Sequence, residues 1–259
     1  MVVLFGDCFT MYNEPRIGMA AKRVLEAFGY RVELFDGGCC GRAMISNGLL
    51  EEACATIDGT LARLREKLEE PGIAGRVRAI VACEPSCLSA IKDDWLQLKV
   101  RTGIEERRGI AAKAWLVEEF LEREWERHPR RPEFRSVGQV VLHGHCHQKA
   151  LWGVDSSAGI LRRVVTGGAE HRPPKATVGG TVTVLDSGCC GMAGSFGFGA
   201  ERYGLSMKIG ELVLFPAVRG AGDAVVAAGG TSCRHQIHDG TGVRALHPIE
   251  IVDRAIGGE

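Results

Sequence analysis

The chain has 259 residues, of which 45% are apolar and 25% charged, a composition typical of a globular protein with one or two domains. Lysine plus arginine and aspartate plus glutamate both number 32, so the net charge is zero. A nucleic-acid-binding protein would carry a basic excess, and we therefore expect no nucleic acid as a partner. The apolar runs are far shorter than the ~20 residues of a membrane span, and the opening residues do not resemble a signal peptide. We expect a cytoplasmic protein without a transmembrane segment.

The first half alternates predicted strands with predicted helices. Apolar residues three and four positions apart, such as Ile57, Leu61 and Leu64, indicate a helix with one buried face. In chain order the predicted elements are a strand at 1–5, a helix at 17–28, a strand at 30–35, a helix at 49–68, a strand at 77–83 and a charged helix at 111–126.

The second half repeats this plan. Predicted strands at 139–146, 181–191 and 223–233 each end at a cysteine or run into a cysteine pair. Alternating strands and helices favour parallel sheets covered by helices. We predict an α/β fold of two pseudo-symmetric repeats, at 1–128 and 139–259, each a small parallel sheet flanked by helices. A surface linker at 129–138 joins them.

Ten cysteines are the most unusual feature of the chain, and most of them recur at similar spacing in both halves. The matched positions are Cys8 with Cys146 (138 residues apart), Cys39 with Cys189 (150 residues apart) and Cys87 with Cys233 (146 residues apart). Offsets as similar as these indicate an internal duplication with loop insertions.

These cysteines predict a metal site in each half. Disulfides are rare in a reducing compartment, and the carboxyl ends of parallel strands meet at one edge of a sheet, where functional groups gather. Cys54, on a predicted helix, is instead expected to be a buried small side chain. The predicted metal ligands are Cys8, Cys39, Cys40, Cys83, Cys87, Cys146, Cys189, Cys190 and Cys233.

The residues alone leave the identity of the metal open. Four thiolates in the second half suit either a [4Fe–4S] cluster or a tetrahedral zinc ion. Up to five in the first half exceed what either needs, which favours an unusual cluster there. The flanking glycines allow φ > 0 and free backbone amides to donate to sulfur.

Three histidines stand close to these cysteines in the sequence: His145, His147 and His235. Each is a candidate to lie around the metal site, as a hydrogen-bond donor or a proton carrier. No catalytic residue is assigned. The chain contains neither a nucleotide-binding fingerprint nor a P-loop, so we expect no flavin of its own.

The two Cys-Cys-Gly motifs, DGGCCG at 36–41 and DSGCCG at 186–191, resemble the cysteine-rich CCG domain. That domain occurs twice in the B subunit of heterodisulfide reductases and also in the iron–sulfur subunits of glycolate, lactate and glycerol-3-phosphate dehydrogenases. The strings EPSC (84–87), HGHCHQKALWG (143–153) and GTSCRHQIHDGTG (230–242) look most like the C-terminal region of large FAD-linked 2-hydroxyacid oxidases.

The resemblance implies an iron–sulfur electron-transfer module, an oxidoreductase subunit or domain that passes electrons from a partner flavin to a quinone or another acceptor. It also implies [4Fe–4S] clusters, of a non-cubane type in the first repeat. The ferredoxin-type cysteine run that accompanies these domains is missing here, so a ferredoxin-type cluster subunit is expected as a second partner. Such partners would place the protein on the inner face of the membrane as a peripheral component.

Two alternatives remain at this stage. One is a heterodisulfide-reductase-like subunit that reduces a disulfide at a non-cubane cluster. The other is a zinc-stabilised scaffold, with zinc in one or both sites and no electron chemistry.

Overall fold

The computed structural model describes residues 1–167 and 180–257 as an α/β protein with two parallel sheets. Every strand pair in these residues is parallel. The first sheet has the order β2-β1-β3-β4 and the second the order β6-β5-β7. The strands are β1 (Val2–Phe5), β2 (Val32–Phe35), β3 (Ala79–Ala82), β4 (Ala114–Leu116), β5 (Val140–His143), β6 (Val182–Val184) and β7 (Val225–Ala228).

Helices connect the strands and cover both sheets. In the first half they are α1 (Pro15–Ala27), α2 (Arg42–Ser46), α3 (Leu50–Glu69), α4 (Pro85–Ser89), α5 (Trp95–Gln97), α6 (Ile104–Lys113) and α7 (Val117–Arg123). In the second half they are α8 (Cys146–Leu151), α9 (Asp155–Val165), α10 (Ala200–Leu212), α11 (Leu214–Arg219), α12 (Thr231–Thr241) and α13 (Pro248–Ala255). Short π-helical turns at Phe9–Asn13 and Ala90–Asp94 and 3₁₀ turns at Trp125–Arg127 and Phe196–Phe198 complete the secondary structure of the described residues.

The two sheets have matching topology, which confirms the predicted architecture. Strand β1 lies between β2 and β3, and β5 lies in the same way between β6 and β7. Central strands of a parallel sheet are buried on both faces, and all four residues of β1 and of β3 are buried. The boundaries of the repeats at 128 and 139 stay predictions.

The predicted charged helix at 111–126 is wrong in one respect. Helix α6 ends at Lys113, strand β4 follows at once, and α7 begins at Val117. The three strand residues pair with β3 and extend the first sheet by one strand. Pairing with a neighbouring strand is a tertiary contact, and here it overrides the helical pattern of the flanking residues.

The two halves pack against each other through a common apolar core. Val2 and Leu4 of the first sheet belong to the same buried cluster as Val140 and Leu142 of the second. Helix α13 packs on α1, and α9 packs on α7. The linker contributes as well, since Phe134 is buried in this core rather than exposed as a surface linker would be.

Among the described residues, none of the helices combines the length and the apolar character that a bilayer span requires.

Candidate metal centre

The cysteines follow the strands in the same order in each half. Cys8 follows β1, the Cys39–Cys40 pair follows β2, and Cys87 lies in α4 directly after β3. In the second half the corresponding residues are Cys146 at the start of α8, the Cys189–Cys190 pair after β6, and Cys233 in α12 after β7. Because these strands are parallel neighbours, their carboxyl ends bring each set together at one edge of its sheet.

In the first half, four thiols form a continuous chain of contacts. Cys8 contacts Cys39, Cys39 contacts Cys40, and Cys40 lies with its Sγ 3.1 Å from the Sγ of Cys87. Trp95 Nε1 donates to the carbonyl of Cys40 at 2.9 Å, which holds this loop against the core. The four thiols are therefore gathered at one place although 79 residues separate the first from the last (87 − 8).

The second half contains the same chain of four thiols. Cys146 contacts Cys189, Cys189 contacts Cys190, and Cys190 contacts Cys233. Lys149 Nζ donates to the carbonyl oxygen of Gly188 at 3.1 Å and so braces the loop ahead of the pair. The order of contacts is the same as in the first half, as the predicted duplication requires.

Each cysteine pair is followed by a glycine in the left-handed region. Gly41 has φ +82° and Gly191 has φ +104°, a range in which side chains are strained. The amide of Gly41 donates to Cys39 Sγ at 3.4 Å, and that of Gly191 donates to Cys189 Sγ at 3.3 Å. Backbone donors to thiolate sulfur stabilise negative charge, so these turns prepare both pairs for metal binding.

A cavity of about 300 Å³ lies between the two halves and receives both thiol sets. Seven of the eight thiols line it, and Cys233 is buried behind them with 1% of its surface exposed. Apolar side chains at its edge include Phe9, Ala43, Ala193 and Phe198. The sequence predicts two sites but does not predict that they face one space.

Cys83, a predicted ligand, does not line this cavity. Its buried side chain belongs to the same core cluster as Ala79 and Val81, on the opposite face of the sheet from Ile80 and Ala82. Side chains alternate between the faces of a strand, so the strand carries Cys83 away from the other four thiols. Cys54 lies partly buried on α3, outside both sets.

The first set lies in acidic surroundings. The hydrogen bond from Cys40 lowers the pKa of Cys87, but burial and the nearby Asp7 and Glu84 raise it to about 11. Asp7 is itself buried, and burial together with the Glu84 charge raises its pKa to about 6. Hydrogen bonds from Cys40 and Cys8 lower the pKa of Cys39, which makes it the most acidic thiol of this set.

The second set lies among imidazoles. Cys233 accepts a hydrogen bond from Cys190, and with His143 and His145 nearby its pKa is well below the ordinary value despite burial. His147 lines the cavity together with His145, and its Nδ1 lies 2.7 Å from Ser89 Oγ of the first half. Burial, His145 and Arg42 lower the pKa of His147.

Two histidines differ from expectation. His235 is exposed and lines a neighbouring groove of about 610 Å³ with Glu14, Arg16 and His238, not the thiol cavity. His143 is absent from the predicted site residues, yet it lies beside Cys233. Its position 138 residues after Phe5, the same offset that joins Cys8 to Cys146, is the sequence signal that could have identified it.

The donor set suits a thiolate-bound metal. All ten cysteines are free thiols, and soft thiolate ligands select zinc or iron–sulfur clusters. In the part of the chain that the structure describes, no three Cys, His, Asp or Glu side chains already meet in the geometry of one bound ion. The residues fit a cluster that spreads its ligands over several metal atoms as well as a single ion.

Comparison with known proteins agrees with the cysteine pattern. Residues 2–92 match the family described as "CCG: Cysteine-rich domain". The chain is 29% identical over 257 residues to the C subunit of the anaerobic glycerol-3-phosphate dehydrogenase of Escherichia coli (strain K12), covering 98% of this chain and 59% of the relative. It is 26% identical over 258 residues to D-2-hydroxyglutarate dehydrogenase of the same strain, covering 96% of this chain and 22% of the relative.

A third relative matches a shorter part of the chain. The B subunit of fumarate reductase (CoM/CoB) of Methanothermobacter marburgensis is 30% identical over 118 residues, which is 45% of this chain and 20% of the relative. The chain thus spans between a fifth and three fifths of the curated relatives described here. With its cysteine-rich domain at 2–92 and its similarity to these dehydrogenases over nearly the whole length, the chain is a CCG-domain protein of the oxidoreductases.

Proposed function

We propose that the chain is the iron–sulfur electron-transfer module of a flavin-dependent dehydrogenase. The observation that carries the proposal is the pair of four-thiol sets, joined by contacts in the same order and both placed at one cavity. Four cysteines are the usual ligand number of a [4Fe–4S] cluster. The first site would be held by Cys8, Cys39, Cys40 and Cys87, and the second by Cys146, Cys189, Cys190 and Cys233.

The proposal takes four ligands in each site. A fifth ligand in the first half would have to be Cys83, which lies on the other face of the sheet. A bound cluster supplies one-electron storage. The chain itself supplies soft ligands, amide donors from Gly41 and Gly191, and a shell of buried side chains that limits water access.

The similar proteins indicate the class of electron donor. Their names specify glycerol 3-phosphate and D-2-hydroxyglutarate as substrates, and both molecules carry a secondary alcohol. We propose that a flavin on a partner subunit, or on another part of a longer polypeptide, oxidises such an alcohol. This module would carry the electrons on, through a ferredoxin-type partner, to a quinone or another acceptor. Such an assembly would work as a cytoplasmic or peripheral membrane complex.

Metal and sulfide analysis of anaerobically purified protein tests this proposal. We expect a brown protein with roughly four irons and four labile sulfides per occupied site. Cys40→Ser and Cys190→Ser should each remove the iron of one half, while Cys54→Ser, a cysteine outside both sets, should keep all of it. A colourless protein with zinc and no labile sulfide would instead support the zinc-stabilised scaffold.

The shared cavity favours a second candidate, the reduction of a small disulfide between the two sites. The overall step adds two electrons and two protons to the disulfide, breaks its S–S bond and releases two thiols. The apolar edge formed by Phe9, Ala43 and Ala193 would hold the substrate.

Blocking the cavity separates this candidate from simple electron transfer. Ala43 is exposed at the cavity edge, so Ala43→Trp should leave the iron content unchanged. If the cavity binds a disulfide, the variant should slow reoxidation of the reduced protein by disulfides at least tenfold and leave reoxidation by a soluble one-electron acceptor unchanged. Equal rates of disulfide reoxidation in both proteins would exclude this candidate.

A further inference from the structure

The two thiol sets are alike in geometry but differ in the residues around them. Moving 138 positions along the chain converts Phe5 to His143, and Asp7 to His145. The same loops therefore present a hydrocarbon ring and a carboxylate in the first half, and two imidazoles in the second.

His143 is placed to donate a hydrogen bond to Cys233. Only 1% of its surface is exposed, and its Nδ1 lies 2.7 Å from Ser187 Oγ. Its Nε2 is buried and has no hydrogen-bond partner among the described residues, although the ring lies close to Cys233. A metal-bound thiolate has no proton to offer, so the favoured tautomer carries its proton on Nε2 while the Ser187 hydroxyl donates to Nδ1.

The corresponding region of the first half has no such donor. Phe5 is buried and packs on Phe35, with ring centroids 5.6 Å apart. Two buried carboxylates lie nearby instead. Asp7 accepts from the amide of Phe9 at 3.0 Å, and Glu84 accepts from the amide of Thr231 at 2.9 Å.

The outer thiols record this difference. Cys87 and Cys233 hold the same position in their sets, and in both the hydrogen bond from the second thiol of the pair lowers the pKa while burial raises it. Asp7 and Glu84 then raise the pKa of Cys87, whereas His143 and His145 lower that of Cys233. The first site thus disfavours negative charge and the second stabilises it.

We propose that the two sites have unequal reduction potentials, and that His143 makes the second-half site the stronger electron acceptor by donating a hydrogen bond to Cys233. Hydrogen bonds to cluster sulfur and a less negative environment favour the reduced state. An electron from the partner flavin would therefore reside first on the second-half site, and the first-half site would be reduced only at lower potential. This inference rests on the proposed iron–sulfur function.

An EPR-monitored redox titration of the anaerobically purified protein tests the inference. Cys190→Ser and Cys40→Ser identify the signal of each half by its loss. We expect the second-half signal to titrate at the higher potential. His143→Phe, which installs the side chain of Phe5, should lower the reduced-to-oxidised ratio of the second-half site at least tenfold at fixed potential, or about 59 mV for one electron.

Two further variants separate this electrostatic role from a structural one. His143→Gln keeps an N–H donor near the position of Nε2 and should restore most of the potential. His238→Phe changes an exposed histidine of the neighbouring groove and should leave both potentials unchanged. Equal potentials in the wild-type protein, or an unshifted second-half potential in His143→Phe, would overturn the inference. A protein without iron would instead overturn the proposed function on which it rests.

Discussion

Among single residues, Glu118 shows how strongly burial alters a side chain. Its carboxyl is fully buried near the contact between the halves, and burial raises its pKa to about 7. Ser157 Oγ donates to its Oε1 at 3.3 Å, while Oε2 has no partner among the described residues. A protonated carboxyl is favoured in such surroundings because it carries no charge to desolvate.

Glu118→Gln should therefore change the pH dependence of stability. Between pH 4.5, the ordinary pKa, and about pH 7, the folded protein holds a proton on Glu118 that the unfolded chain releases. Wild-type stability contributed by this group is present below pH 4.5 and lost as pH rises through about 7. The variant does not titrate, so its free energy of unfolding relative to wild type should rise by at most about 3 kcal/mol over this window.

Urea denaturation of the wild-type and variant proteins at about pH 5 and about pH 8, on either side of the titration, measures this difference. Glu105→Gln, which changes an exposed acid on α6, is the matched control and should show no such pH dependence. A constant stability difference between Glu118→Gln and wild type at both pH values would contradict the assignment.

Residue positions in the strand explain what the cysteine pattern predicts and what it misses. Cysteine type and spacing predict eight thiols that the structure brings together in two sets. The pattern also groups Cys83 with them because it ends a predicted strand, but strand alternation directs it to the other core. His143 escapes prediction because a single histidine at a strand end carries no distinctive signal.

Within the loop elements, the Cys-Cys-Gly turn depends on glycine for steric reasons. A Cβ on Gly191 would lie 2.1 Å from the carbonyl oxygen of Ser206, and its φ of +104° is already strained for other residues. Gly188, three residues earlier in the same loop, has open space around it, since a Cβ added there would meet no atom within 4 Å.

Gly191→Ala should accordingly destabilise the protein by at least about 2 kcal/mol, since left-handed strain and overpacking each cost about 1–3 kcal/mol. It should also reduce metal content in the second half, because the turn positions Cys189 and its amide donor. Gly188→Ala is the matched substitution and should behave as wild type. Thermal unfolding and iron analysis of both variants give the comparison, and equal behaviour would argue against a steric role for Gly191.

Helices and strands are well predicted where local pattern and tertiary contact agree. The strands at 1–5 and 30–35 and the helix at 49–68 appear with ends shifted by at most two residues. The prediction for 111–126 is wrong because the three residues of β4 are strand only by virtue of pairing with β3. A local pattern contains no information on such a neighbour.

Over the whole molecule, a buried ion pair joins the two halves. Arg234 of α12 contacts Glu14, which precedes α1, and the two side chains are 4% and 7% exposed. Arg234 also donates to the carbonyl oxygens of Ala228 and Gly229 at 3.0 and 2.7 Å. The pair therefore holds the second-half strand end against the first half.

Glu14→Gln should weaken this contact by about 3–5 kcal/mol, because it leaves the Arg234 charge buried without its counter-ion. The free energy of unfolding from urea denaturation measures the loss. Glu211→Gln removes one partner of a half-exposed pair with Arg219 and should cause no measurable change. A Glu14→Gln protein as stable as wild type would show that the halves are held together by the apolar core alone.

The amino-acid sequence by itself determined the duplication, the α/β class and the cysteines at the carboxyl ends of the strands. These follow from residue type and from periodicity over a few positions, which local propensity and hydrophobic burial translate into strands and helices. Only the tertiary structure decided that both thiol sets face one cavity, that Cys83 is turned away and that one set lies among acids and the other among imidazoles. Those properties depend on contacts such as that of Glu84 with Thr231, 147 residues apart. Packing of two complete halves creates such contacts, and no short stretch of sequence encodes them.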